Sequence, residues 1–463
     1  MAVAARGPTR ATPNGGVVVP LGALLRWLQP ACRLLSVTLL GLVLAAGLFG
    51  DPHPAKNLAP TFVWIAWWVG LSLVVACIGN VWPALDPWRA VFDTVDALAR
   101  RASRGRRGIT RGWAYPRALG VWPAVVLLLG FAWIQIVLPQ ASVPSRIAAF
   151  GLGWSVLTLL GMLCFGRSAW QENADVFAVH FATLGRFAPT GPGPDGRSLV
   201  LRPPGRGLVE PFALPPGMVA FVIAMLATVL FDGVLGTQAW RLVDRVLSRE
   251  FPRLVDREGY LLGTAGLLAV WLLFLGAYLL ACRVAVALVR GSTVVGTARL
   301  FVPSLVPIAV AYNLAHNASY VLGQGQALIP LLSDPLGLGW NLLGLAAFSP
   351  DLTLVGARFT WYVAVGAIVL GHVIAVWLAH RLTLRAFGAR HAAVIASVPL
   401  TILMVVYTAL SLSVIAEPLV RFRTPDPSYS RLGPDGPTTR PGSARPAVSR
   451  LPAVGIDKPA GSL

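Results

Sequence analysis

The chain has 463 residues, of which 56% are hydrophobic and only 12% charged, and its formal net charge is +19. A soluble domain carries about twice that charged fraction, so water cannot solvate this surface and lipid must. The 38 Lys and Arg lie in short stretches between long apolar runs, a pattern that signals membrane topology and anionic headgroup contact and not nucleic-acid binding. The four cysteines, Cys32, Cys77, Cys164 and Cys282, form no C-x-x-C pair and sit in or beside apolar runs. That excludes a disulfide frame or a cysteine zinc site and makes them small buried hydrophobes.

In chain order, residues 1–32 read as a flexible basic segment, residues 33–416 as a transmembrane helical domain, and residues 417–463 as a disordered tail rich in Pro, Ser, Gly and Arg. A span needs about 20 largely apolar residues. Nine stretches qualify: 33–50, 59–84, 119–138, 147–165, 217–236, 261–281, 299–321, 360–380 and 392–416. The fold class expected is therefore an all-α polytopic integral membrane protein. Trp64, Trp67, Trp68, Trp82, Trp122 and Trp133 are placed near span ends, where indoles favour the interface.

Alternate connecting segments differ in charge. The set containing the N-terminus carries 23 Arg and Lys, and the other set carries 8. The positive-inside rule puts the basic set in the cytoplasm of a bacterial inner membrane, with the N-terminus in and the C-terminus out. Segment 237–260, with five arginines, is the exception within the poorer set. Trp170, Ala174, Phe177, Phe181 and Leu184 recur at helical spacing and predict an amphipathic helix lying at the interface. Trp88, Phe92, Val95 and Leu98 predict a second. The run from Gln324 to Phe348 is apolar but broken by Pro330, Pro335, Gly337 and Gly339. It reads either as a re-entrant lid on the outer face or as an ordinary loop in which Asp334 caps backbone N–H groups.

Ionisable groups inside a span are costly, by roughly 2.5–3.5 kcal/mol on insertion scales, and are functional candidates by default. Asp232 of the fifth span and His316 of the seventh lie about one turn below the outer surface and can share a site. His372 of the eighth span lies near the midplane, about 10 Å deeper by helical rise. His380 falls lower still, beside Arg381 among headgroups. Tyr312 shares a helical face with His316. Tyr407, Thr408 and Ser411 give the ninth span a polar face. Asp232 and His316 are thus the catalytic candidates. Tyr312, Gln324 and Asp334 are the substrate-binding candidates. Asp232, His316 and His372 are the candidate ligands of a divalent transition metal. Such a set supports general-base or metal-assisted hydrolysis, a proton or solute site in a transporter, or metal or haem handling in assembly of respiratory enzymes. No H-E-x-x-H, G-x-S-x-G, Walker or dinucleotide motif is present.

Five stretches, NVWPALDPWRA (80–90), FGRSAWQENADVFAVHFATLGRFAP (165–189), LATVLFDGVLGTQAW (226–240), LSDPLGLGWNLLG (332–344) and GHVIAVWLAH (371–380), resemble a family of actinobacterial-type multi-pass membrane proteins often labelled fenitrothion hydrolase. The resemblance spans about residues 60–415. It implies hydrolysis of an organophosphorus ester and assigns no catalytic residue in this sequence.

Overall fold

The computed structural model describes residues 17–19, 22–105, 108–193, 198–210, 214–252, 259–289, 293–351, 355–387 and 390–421. It is an all-α bundle with one three-stranded scrap of sheet. Among the described residues, eight helices are long and apolar enough to cross a bilayer. In chain order the elements are β1 (Val17–Val19), α1 (Gly22–Phe49), α2 (Leu58–Cys77), α3 (Pro87–Ala102), α4 (Trp122–Ile136), α5 (Pro144–Phe165), α6 (Arg167–Asn173) and α7 (Val176–Gly185). There follow β2 (Thr190–Pro192), β3 (Leu199–Leu201), α8 (Met218–Leu235), α9 (Gln238–Glu250), α10 (Tyr260–Leu288), α11 (Val294–Phe301), α12 (Val306–Gln324), α13 (Ala357–Phe387) and α14 (Arg390–Arg421).

The expected span 119–138 is the shorter apolar helix α4. At 15 residues it is about 22 Å long, short of the roughly 30 Å hydrocarbon core. It buries Ala124, Val125 and Leu128 against its protein neighbours. Residues 17–19 and 22–32, expected to be flexible, are instead strand and helix, and α1 begins at Gly22 with Pro30 inside it. β3 pairs antiparallel with both β1 and β2. The expected disordered tail lies outside the described residues beyond Arg421.

The connections sort to two ends. At the basic end, Asp93 of α3 accepts hydrogen bonds from Arg33 of α1 at 2.9 Å and Arg167 of α6 at 3.0 Å, with Arg89 at 3.9 Å. Three cations on one carboxylate tie α1, α3 and α6 together. At the opposite end, Asn57 is fully buried and donates to the Ala46 and Asp51 carbonyls.

Helix α3 is the amphipathic helix expected over 88–98, started by Asp86, whose carboxylate accepts the Arg89 N–H at 3.0 Å. Helix α9 is a second one, not anticipated. No residue in it is buried, and Leu242, Val243 and Val246 are exposed beside Arg241, Arg245 and Arg249. That is the pattern of a helix resting on headgroups, which explains why its arginines upset the loop-charge count.

The stretch 170–186 is not one interfacial helix. It breaks at Ala174–Asp175 into α6 and α7, and α7 is buried on nearly every side. Phe177 packs on Trp67, Trp68, Phe131 and Trp154, with ring centroids 4.5–6.1 Å apart. Trp67 lies ten residues, about 15 Å, inside the basic end of α2, and Thr158, which touches Asp175, lies about 10 Å inside that end of α5. The α6–α7 hairpin therefore dips into the bundle and returns to the same end. Trp64, Trp67, Trp68 and Trp82 are not an interfacial belt. They form the aromatic core around this hairpin, and Trp64 and Trp82 are only 4% and 2% exposed. Residues 61–70 of α2 are wound with i→i+5 bonding, a widened turn common at functional sites.

Candidate functional site

Helices α8 and α12 pack against each other and bring two of the expected residues together. His316 Nε2 lies 3.0 Å from Asp232 Oδ2, with both side chains about one-tenth exposed. Asp232 stands one turn before the end of α8 at Leu235, where Gly236 and the Thr237 cap of α9 follow. Gly233 makes the approach of α12 and α14 possible. A Cβ there would lie 2.7 Å from a methyl of Val414 and 3.2 Å from the Tyr312 hydroxyl. Tyr312 is buried and stacks on His316, with ring centroids 6.2 Å apart and planes at 19°. Among the described residues its hydroxyl has no hydrogen-bond partner.

Two further buried polar atoms nearby in sequence or packing are also unpartnered: Asn313 Oδ1 on α12 and His372 Nε2 on α13. The His372 Nδ1–H donates to the Ile368 carbonyl, 2.8 Å away. It sits beside Gly371, where α13 crosses α12 at the level of Pro307 and Ala311. That level is five to nine residues below His316, or about 8–13 Å of helical rise. Among the described residues no group of three His, Cys, Asp or Glu side chains is arranged to hold a metal. The expected metal set is corrected accordingly: His372 does not join Asp232 and His316, because helix register keeps it deeper.

The loop residues also part company with the pair. Gln324 is exposed. Gln326, two residues on, is the glutamine that organises the loop, exchanging hydrogen bonds with the Asp351 backbone at 3.0 Å in both directions. Asp334 accepts from the Leu338 and Gly339 N–H groups at 3.0 and 2.7 Å, so its carboxylate caps a turn. The loop packs over α1 and α2 instead: the Asp51 N–H donates to the Leu336 carbonyl and the Leu58 N–H to the Pro335 carbonyl. Gly337, at φ +69°, is required there, since a Cβ would fall 2.4 Å from the Lys56 carbonyl. Of the two readings of this segment, the backbone-capping loop is the one the structure shows, and neither Gln324 nor Asp334 covers Asp232 and His316.

Tyr407 and the polar face of α14 are structural. The Tyr407 hydroxyl donates to the Phe274 carbonyl at 3.1 Å while its ring stacks on Phe274 at 4.2 Å.

The residues missed in the sequence belong to the dipping hairpin. Asp175 sits at its tip, fully enclosed. It accepts from the Phe177 and Ala178 N–H groups at 3.0 Å and from the Thr158 hydroxyl at 3.2 Å, while the Trp170 indole donates to that hydroxyl at 2.9 Å. His180 stacks on Trp68 at 4.8 Å and meets Ser72 Oγ at 3.1 Å. The Ser72 hydroxyl proton is engaged by the Trp68 carbonyl at 2.6 Å, so His180 Nε2 carries a hydrogen and donates. Its Nδ1 is then a bare acceptor, buried without a partner. At the basic end, burial first and the Asp175 charge second push the Asp86 carboxyl up to about 7, against the Arg89 N–H bond that pulls it down. The signal was present in WQENAD: a helix pattern interrupted by Asn-Ala-Asp, an N-capping carboxylate inside an apolar stretch.

No family model, no curated protein and no solved structure matches this chain.

Proposed function

We propose that this chain is a bacterial inner-membrane protein, N-terminus cytoplasmic, that moves a small polar solute with proton exchange at Asp232–His316. The observation that carries the reading is the buried 3.0 Å contact of His316 with Asp232. It lies on the same two helices whose other ends, at Met218, Val222 and Val306, wall a polar cavity at the basic end. Val222 and Asp232 are ten residues apart on α8, and Val306 and His316 are ten apart on α12, so cavity and pair are separated by about 15 Å along a shared interface. The unpartnered polar atoms of Tyr312, Asn313 and His372 fall between or beside them. Irregular backbone at membrane depth, as at the Ala174–Asp175 break, is tolerated where it is buried in protein or lines a water-filled cavity. The basic end faces the cytoplasm by its arginine excess, and anionic lipid headgroups are its partners.

Histidine-selective isotope labelling tests the proton site, because the chain has only 6 histidines. In detergent-purified protein one imidazole signal should respond to Asp232→Asn and vanish in His316→Gln, and proton flux into proteoliposomes should fall at least tenfold in both. Flux that survives both substitutions rejects this reading.

A second reading, hydrolysis of an organophosphorus ester, is favoured by the motif resemblance. A carboxylate that orients an imidazole is also a general-base arrangement. Turnover of a nitrophenyl phosphotriester by the purified protein, lost in His316→Ala, supports it, and absence of turnover in the wild-type protein removes it.

A further inference from the structure

The geometry points to a binding site for a phosphate-type anion in the cavity at the basic end, held by Arg89, Arg167 and Arg186. The inference deepens the translocation reading by naming a ligand class for its cavity, but it is tested by binding alone.

The cavity has a volume of about 620 Å³, within the range of small-ligand sites. One wall is the dipping hairpin: Arg167 and Gln171 from α6, and Ala182, Thr183 and Arg186 from α7. Arg89 of α3 closes another side. The charged side chains that line it are these three arginines and one exposed glutamate, Glu172. Behind the lining, Asp93 is shared by Arg33, Arg89 and Arg167, and Glu210 pairs with Arg202 at 3.3 Å. Asp86, which caps the Arg89 N–H, has its carboxyl pushed up to about 7, first by burial. Arg89 and Arg167 thus share one carboxylate, Asp93, with Arg33.

Among the described residues, that sharing sets three guanidinium groups against one carboxylate. Arg89 is partly desolvated, and Arg167 and Arg33 repel it. Arg186 is repelled by Arg202 in the same way and drawn by Glu210. Among the described residues, two buried donors that line the cavity have no hydrogen-bond partner, the Trp82 indole N–H and the Arg89 Nε–H, the latter 3.9 Å from Asp93. Trp82 is only 2% exposed, so its N–H has no bulk water to turn to. Orphaned buried donors of this kind call for an acceptor, and guanidinium forks match tetrahedral oxyanions in charge and geometry. Asn80, Ser168, Gln171, Asn173 and Thr183 supply neutral polar contacts around them.

A phosphate group reaches such a site either as a free phosphate compound or as the headgroup of a lipid in the adjoining leaflet. The experiment separates these sources. Thermal unfolding of the detergent-purified full chain is followed while inorganic phosphate replaces chloride at constant ionic strength. In parallel, the protein in phosphatidylcholine nanodiscs, with or without phosphatidic acid, is assayed for retained lipid by native mass spectrometry. Saturable protection by phosphate, or selective retention of phosphatidic acid, is the expected result, and whichever arm responds identifies the source. Arg89→Gln should weaken that response at least tenfold. Ala182→Glu should do the same while leaving every arginine in place, because Ala182 is exposed on the cavity wall and outside the Asp93 network. Phosphate no better than chloride together with phosphatidic acid no better than phosphatidylcholine overturns the proposal. So does a response unchanged in both variants. Binding without proton flux would leave the anion site standing and reject translocation. Flux without binding would do the reverse.

Discussion

Truncating one member of the Asp232–His316 pair should cost more than truncating a neutral hydrogen bond within the bundle. Both side chains are about nine-tenths enclosed, and the contact is 3.0 Å. Interhelical hydrogen bonds in membranes average about 0.6 kcal/mol and reach about 1.7, whereas bonds to charged groups in proteins run at about 1.5–3. The carboxylate–imidazole contact belongs at the upper end of the first range, so a coupling of about 1–2 kcal/mol is expected. His316→Ala alone should cost about 2–4 kcal/mol, since it leaves the Asp232 carboxylate enclosed with its partner gone. Asp232→Ala should fall in the same range. The double substitution should cost about 1–2 kcal/mol less than the sum of the two single ones. The measurement is a double-mutant cycle on reversible unfolding in mixed micelles, with Thr408→Ala as a distant control because its hydroxyl bonds only the Met404 carbonyl of its own helix. Additivity of the two single effects to within about 0.5 kcal/mol would show that the two groups do not interact, and the reasoning built on their contact would fail with it.

Stability should fall as pH rises from about 4 to about 7. Asp86 binds its proton more tightly in the folded chain, where its carboxyl is pushed up to about 7 from 3.8, so folding is favoured below that window and loses ground through it. At 1.36 kcal/mol per pH unit the loss is at most about 4 kcal/mol. Asp86→Asn, which keeps an oxygen for the Arg89 N–H, should flatten the melting-temperature profile between about pH 4 and pH 7, and an unaltered slope would contradict the assignment. Asp93→Ala should destabilise by about 1–3 kcal/mol, because it releases Arg33 and Arg167 at once in a partly exposed network; a variant as stable as the wild type would show that the hub is dispensable. Gly371→Val places a Cβ 2.3 Å from the Ala311 Cβ and 3.0 Å from the Pro307 carbonyl. It should cost about 1–3 kcal/mol or more by overpacking, and Ala311→Gly should restore part of that, which a thermal-shift comparison of the single and double variants reads directly.

Long-range composition made most of the bundle legible, and local break signals did not. Lipid solvation demands 20-residue apolar runs, so α2, α5, α8, α10 and α14 stand out from their residues alone. The pairing of Asp232 with His316 was legible for a related reason, since equal depth on two spans follows from counting 1.5 Å per residue. Lateral position was not. Which helix faces which depends on packing such as Gly371 on Ala311, where the absence of one Cβ sets the α12–α13 crossing. His372 was consequently grouped with a site it does not reach. Helix α9 was hidden because a helix resting on headgroups needs no apolar run, only the stripe Leu242, Val243 and Val246.

The misplacement of the re-entrant segment has a more specific cause. Both 170–186 and 324–348 mix apolar residues with breakers, and apolarity alone favours putting the second into the membrane. The first goes in because it brings partners for its broken backbone. Asp175 takes two N–H groups of the next helix, Thr158 and Trp170 secure that carboxylate, and Phe177 and Phe181 fill the space beside Trp67 and Trp82. The second has no such supply: Asp334 and Asn341 satisfy turns within the loop itself, and Leu342 and Leu343 remain 65% and 62% exposed. The deciding quantity is thus the number of broken backbone groups that side chains can answer at depth, since each one left over costs several kcal/mol in hydrocarbon. Asp175→Leu should therefore expel or unfold the hairpin, opening the wall of the arginine cavity. Protease accessibility at the Ala174–Asp175 break and loss of phosphate protection should appear together in that variant. A hairpin that stays protected without its carboxylate would mean that the aromatic packing alone holds it in the membrane.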